Sequence, residues 1–393
     1  MKRSFDFFDH AHNYVEHCRR HWAGQPVRAS WQIGLWGLMH VFSAGKDRGK
    51  NASGPLPKIA FLLDGGLGDT IVNAHFIREF FRQCGPMQLD ICTNYPEVFD
   101  AGITGSGIPA RRIGTEMPDE DCDLVLYCLL IPSVVSVNRA RLDSTASPRL
   151  RAWLESLEEM QKREPLWFRM QENFMGPILA FGRLHGCRRR SLPFLAGGLE
   201  ATEPPRPAAP VDAPLPELPA GRPFITVHRG TGDCPSSTKL WSTASYNALL
   251  ALLRRRFPEM TLVQVGHEQE SALSVDADLR GKTTFPQFAR LLQESRLHIC
   301  SEGGGMHLRH VLCGRPSLVF FGPTDPEFYG YAENLNLRAP FCTPCEWLTR
   351  SWQTRCSRDF DNCRCLEKLT PEMVWHQVEN NASLLEALCS RAS

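Results

Sequence analysis

Two stretches of this sequence set glycines beside ionisable side chains at spacings suited to chemistry on a charged ligand. In Phe61–Thr70, FLLDGGLGDT, an apolar run leads through three glycines to Asp69, with a second acid at Asp64. The spacing is neither the G-x-G-x-x-G of a dinucleotide turn nor that of a P-loop, so no phosphate need sit here. An acid in that place suits accepting a proton better than facing an anion. In His298–Tyr331 an apolar run ends at Ser301, followed by Glu302, Gly303, Gly304, Gly305 and His307, with a helix expected from near Met306. Glycines between a strand end and a helix N-terminus let a ligand approach the backbone, and the exposed N–H groups favour an anion. A diphosphate suits that turn, with His307 as a further donor; a plain tight turn is the alternative. Lys239 ends the Gly/Ser/Thr-rich loop of HRGTGDCPSSTKLW and could pair with phosphate as a point charge. Glu268 and Glu270, in VGHEQE just past a strand end, could accept from ribose hydroxyls.

A separate group is Cys342, Cys345, Cys356, Cys363 and Cys365. These thiols exceed by one the needs of a tetrahedral site, so a structural zinc or iron is expected, with metal-free reduced thiols as the alternative. Such a metal would be closed off by thiolates and would leave no position open for catalysis. No apolar signal region opens the chain, so the fifteen cysteines read as reduced thiols and the compartment as cytoplasmic. The run Arg188, Arg189, Arg190, near Arg183, reads as a solvated surface turn, with contact to an anionic acceptor or a membrane surface as the alternative.

These residues need elements to carry them. A chain of 393 residues exceeds one ordinary core, which favours two domains. The formal net charge of +1 argues against a general nucleic-acid binder. No run is long enough to span a membrane. Trp31–Phe42 reads as a core helix, with an interfacial membrane helix as the alternative. Residues 203–223 hold eight prolines and no periodicity, marking a semi-rigid surface linker. Before it, apolar runs at Ile59–Leu63, Leu89–Thr93 and Leu124–Ile131 suggest buried parallel strands, with a helix over Thr70–Cys84. After it, runs at Phe224–His228, Leu262–Val265, Leu297–Cys300 and Ser317–Phe321 alternate with helices at Thr243–Arg256 and Phe285–Ser295. The expectation is α/β: two doubly wound parallel sheets, their ligands at the carboxyl ends of strands in the cleft between them.

The combination FLLDGGLGDT, STKLW, GHEQE, SEGGGMHLRHVLCGRPSLVFFGPTDP and the terminal FCTPC…CRC resembles glycosyltransferase family 9, the ADP-heptose:lipopolysaccharide heptosyltransferases and their relatives. Order and spacing agree over roughly residues 57–380. The long segment is the most specific, resembling the family's D-[ST]-G-x-M-H-L … G-x-P … F-G-P-T-D-P block. The resemblance implies a GT-B fold, two Rossmann-like domains facing across a cleft, with the acceptor on the first and the nucleotide-sugar on the second. The expected divisions are a helical extension (1–56), an acceptor domain (57–202), the linker (203–223), a donor domain (224–340), a cysteine-rich metal module (341–367) and a C-terminal helix (368–393).

By the same resemblance Asp69 is the catalytic base and Lys239 meets the donor phosphates. Glu302, Gly303, Gly304 and His307 match the donor block, with Gly305 in the same turn, and Glu270 or Glu268 the ribose-binding acid. Thr231 and Thr283 fall where family members touch phosphate and adenine. One branch that modifies autotransporters binds iron at a similar cysteine pattern. The implied activity is inverting transfer of a heptose or related sugar from an ADP-sugar, without a catalytic cofactor or metal. The acceptor would be a lipopolysaccharide-core, other glycan, lipid-linked or protein hydroxyl, reached in the cytoplasm or at the inner face of its membrane. A sugar-nucleotide epimerase and a catalytically silent scaffold are the alternatives. Leu63 stands where the family often has a basic residue, His75 where it often has proline, and Glu302 where it has aspartate. These departures bear on the acceptor more than on the reaction.

Overall fold

The computed structural model describes residues 56–389, leaving out 101–102, 104–107, 119–120, 170, 219–221, 231–236, 343, 350 and 361–362. The expected N-terminal extension, with Trp31–Phe42, lies outside the described residues save for Leu56.

Five strands, β1 (Lys58–Leu63), β2 (Gln88–Cys92), β3 (Ala110–Gly114), β4 (Leu124–Cys128) and β5 (Pro132–Val137), form one sheet in the order β3-β2-β1-β4-β5. β1 lies at its centre and is buried along its whole length, which is why its sequence is apolar without alternation. β5 runs antiparallel to β4, so the sheet is not wholly parallel as expected. The apolar run Leu124–Ile131 is not one strand: it stops at Cys128 and turns. A buried turn must have its backbone groups paired. Gln171 does this, accepting from the N–H groups of Leu130 (3.0 Å) and Ile131 (3.2 Å) and donating to the Ile131 carbonyl (2.7 Å).

The second sheet is parallel throughout. Its strands are β6 (Phe224–His228), β7 (Thr261–Gln264), β8 (Ala277–Asp278), β9 (Leu297–Ser301), β10 (Ser317–Phe320) and β11 (Leu335–Leu337), in the order β11-β10-β9-β6-β7-β8. β6 leads outward to β7 on one side while β9 leads to β10 on the other, so the winding reverses between β6 and β9. Such a reversal leaves a crevice at the strand ends.

The helices that bear on the site are α1 (Leu67–Cys84), α2 (Pro148–Arg163), α3 (Gln171–Leu184), α4 (Thr243–Arg256), α5 (Phe285–Glu294) and α6 (Gly304–Cys313). The expected single C-terminal helix is two, α7 (Pro371–Glu379) and α8 (Ala382–Cys389), because Asn381 accepts from the Leu384 N–H (2.9 Å) and starts a new helix. The proline-rich stretch is exposed along most of its described length but is anchored at Val211, which is buried. The Val211 N–H donates to Gln293 (2.8 Å), and Arg290 donates to the Val211 carbonyl (2.7 Å). One apolar core runs from β1, α1 and α2 into the second half, taking in Ala289 and Leu292 of α5 and Leu308, Val311 and Leu312 of α6. That shared core brings the N-termini of α1 and α6 together. No described helix is long and apolar enough to cross a membrane.

Candidate functional site

The carboxyl end of β1 turns through Asp64 and Gly65 into α1. Asp64 is buried; one carboxylate oxygen accepts the Gly65 N–H (2.7 Å) and the other the Tyr127 hydroxyl (2.8 Å). It therefore pins the loop to β4. Gly65 has φ +95°, and a Cβ there would lie 2.6 Å from Asp69 Oδ2. The glycine leaves room for the chain's own acid, which folds back so that Oδ2 accepts the Gly66 N–H (3.1 Å).

Asp69 Oδ1 accepts from Arg189, Nη2 at 2.7 Å and Nε at 3.3 Å. This overturns the solvated-turn reading of Arg188–Arg190 for its middle member. Arg189 is 2% exposed and also donates to the Leu129 carbonyl (2.9 Å) in the turn after β4. The sequence signal that could have found it was the neighbouring Leu192, Pro193 and Phe194, which bury their turn and carry Arg189 inward.

Across the interface, α6 begins earlier than the expected Met306, with Gly303 as its cap and Gly304 and Gly305 already helical. A Cβ on Gly304 would lie 2.8 Å from Leu67 Cβ, and one on Gly68 would lie 2.6 Å from His307 Cδ2. The two helix N-termini thus meet glycine against side chain. Gly66 faces open space instead, and a Cβ on Gly303 would meet nothing nearer than the Ser301 carbonyl oxygen at 4.0 Å. His307 is buried, with Nδ1 2.6 Å from the Tyr331 hydroxyl. Burial drives its pKa down to about 4, against the pull of Glu302, so it is neutral at pH 7 and serves as a hydrogen-bonding group, not a cation.

Lys239 stands at the end of the short turn Ser237–Lys239, its ammonium 2.6 Å from Glu302 Oε2 and over the Trp352 ring at 5.6 Å. Thr324 donates to the same carboxylate oxygen (3.0 Å). Glu346, which sequence reading missed, is buried nearby and bonded to Arg183 of α3. Burial pushes its carboxyl up to about 7, although Arg183 favours the charged form.

The remaining candidates divide. Glu270 is turned inward and accepts from His228 (3.1 Å), the Gly230 N–H (2.9 Å) and the His267 N–H (3.0 Å). Burial opposes its charge, yet these donors outweigh it and hold the carboxyl below the usual range. Its oxygens are engaged with the chain itself, whereas Glu268 is exposed. Thr283 is half-buried beside Thr284, the cap of α5. Thr231 lies outside the described residues.

All five of Cys342, Cys345, Cys356, Cys363 and Cys365 line one cavity, which also touches Thr238 and Trp352 beside Lys239. The expected metal centre is not supported: among the described residues no group of three or more His, Cys, Asp or Glu has metal-holding geometry. Arg358 lies in that wall, donating to Cys342 Sγ at 3.6 Å and stacking near Phe360, and Arg355 and Arg364 line the cavity too. Cys363 donates to Cys365, raising its own pKa and bringing that of Cys365 down to about 7.

Residues 199–354 match the family model "Glycosyltransferase family 9 (heptosyltransferase)". Over this region the chain is similar to glycosyltransferase family 9. The matched residues include Lys239, Glu270, Glu302–Gly305 and His307 but not Asp69. No curated protein matches by sequence. Among solved structures, the iron-containing dodecameric glycosyltransferase TibC of enterotoxigenic E. coli H10407 is 12% identical, with 86% of this chain and 79% of that one covered at a TM-score of 0.54. TibC in complex with ADP-D-β-D-heptose gives 12% identity, 87% and 81% coverage and a TM-score of 0.54. The shared feature is the GT-B fold, two α/β halves facing across a cleft. In this chain the acid-bearing turn after β1 and the glycine turn after β9 stand at the ends of central strands and face each other.

Proposed function

We propose that the protein is an inverting glycosyltransferase that moves a heptose or related sugar from an ADP-sugar to a hydroxyl of a glycan, lipid-linked or protein acceptor. The observation that carries this reading is the meeting of α1 and α6, which sets Asp69 on one wall of the cleft and the Gly303–Gly305 turn with His307 on the other. In the proposed reaction the acceptor oxygen attacks the anomeric carbon from the face opposite the diphosphate. Its proton passes to Asp69 as the new bond forms. The bond from carbon to the diphosphate oxygen breaks and ADP leaves, inverting the configuration. The negative charge gathering on the diphosphate is met by Lys239 and by the N–H groups that begin α6. On this reading Lys239 exchanges its contact with Glu302 for one shared with phosphate, and no metal is required for the transfer. Support also comes from the family match across the donor half and from TibC, whose structure holds ADP-D-β-D-heptose. The reading places the acceptor in the cytoplasm or on the inner face of its membrane.

The test is to incubate the protein with ADP-heptose and candidate acceptors, lipopolysaccharide core and protein, and to follow ADP release and acceptor mass. A heptose mass increment with inverted anomeric configuration is the expected result. Interconversion of the free nucleotide-sugar without transfer would overturn it in favour of an epimerase.

A further inference from the structure

We propose that Arg189 is the positioning residue for the Asp69 carboxylate, so that the base is a fixed aspartate–arginine unit and not a freely rotating acid. This rests on the reading of Asp69 as the base. A guanidinium taken out of water is costly unless each nitrogen is met. Arg189 is 2% exposed, and its Nε and Nη2 both reach Asp69 Oδ1, with Nη2 also on the Leu129 carbonyl. Nη1 is buried with no acceptor among the described residues. Orphaned buried donors are rare and call for a role. Here an oxygen bound beside the carboxylate would meet it.

The exposures of the pair divide the labour. The Asp69 side chain is 32% exposed, the Arg189 side chain 2%. The arginine thus holds the acid from behind and leaves its other side to an incoming hydroxyl. Arg189 is itself held firmly, because it opens the turn Arg189–Phe194 and Phe194 packs edge-on against Phe76 of α1 at 5.3 Å. Base and holder are therefore fixed to the same helix, one by the chain and one by packing. Lysine could supply the charge but not the planar fork that grips one oxygen with two N–H groups.

The acceptor being unidentified, the probe is ADP release from ADP-heptose with water as nucleophile. Arg189→Ala should slow release by about a hundredfold while ADP affinity by calorimetry stays unchanged. Added guanidinium should restore part of the rate, and Arg189→Lys should stay slow. In an Asp69→Asn background, Arg189→Ala should cost nothing further, because members of one unit are non-additive. Wild-type release by Arg189→Ala alongside an inactive Asp69→Asn would overturn the proposal and leave the base reading standing. Losses that multiply, or a slow Arg189→Ala that guanidinium does not restore, would also overturn it. An Asp69→Asn protein releasing ADP at the wild-type rate would remove the base reading, and this inference with it. Should Arg189→Ala fail to fold, Arg189→Lys carries the same cycle.

Discussion

The turn after β1 and the turn after β9 have the same local grammar and opposite electrostatics. Each follows a buried central strand, passes an acid and glycines, and opens a helix whose N-terminus faces the other half. In the first, α1 supplies its own anion: Asp69 lies in the first turn and accepts the Gly66 N–H, while Asp64 is bound to Gly65 and Tyr127. The partial positive charge of that helix end is already answered. In the second, α6 has no acid in its first turn, and Glu302 is drawn aside to Lys239 and Thr324. On the proposed reading its amides are left for the diphosphate of the donor. Glycines, then, do not decide which turn suits a phosphate. What decides it is whether the chain places a carboxylate of its own in the first turn of the helix.

That contrast can be broken from either side. The largest effect is expected at Asp69→Asn, which keeps the size and the Gly66 contact but removes the proton acceptor. Transfer from ADP-heptose should fall about a thousandfold, within the usual range for general-base loss, with ADP affinity unchanged. A loss of ADP affinity with no loss of turnover would mean that the first turn, not the second, holds the phosphates. Next comes Lys239→Ala, expected to weaken ADP binding roughly ten- to a hundredfold in calorimetry, as for a hydrogen bond to a charged group. Unchanged affinity would leave the second turn without its cation and the contrast without its positive half.

Much of this pairing was legible in the sequence, and the reasons it was not wholly so are local. β6 and α4 keep the expected bounds because their apolar runs end at clear breakers, and the family match supports the donor half. The break after Cys128 was hidden because a buried turn can be as apolar as a strand when a distant side chain, Gln171, serves its backbone. Arg189 was hidden for a related reason. Three arginines in a row look solvated, and only the packing of Leu192 and Phe194 selects one to go inside. Glu346 lies among cysteines that drew attention to metal binding, while its partner Arg183 is remote in sequence.

Glu346 sharpens the comparison with the smallest expected effect on turnover. The first turn keeps its acid one-third exposed, whereas beside the second the Glu346 carboxyl is buried and carried from 4.5 up to about 7. The folded protein therefore binds a proton that the unfolded chain has lost between those values. Stability from this group is fully present below about pH 4.5 and is lost as pH rises through about 7. The melting temperature of the wild type should decline over that window by an amount worth roughly 1–3 kcal/mol, and Glu346→Gln should flatten the decline. Transfer at pH 7 should change little, because no step of the proposed reaction passes through Glu346. A slope that persists in Glu346→Gln would assign the titration elsewhere, and a collapse of transfer would place Glu346 within the donor site itself.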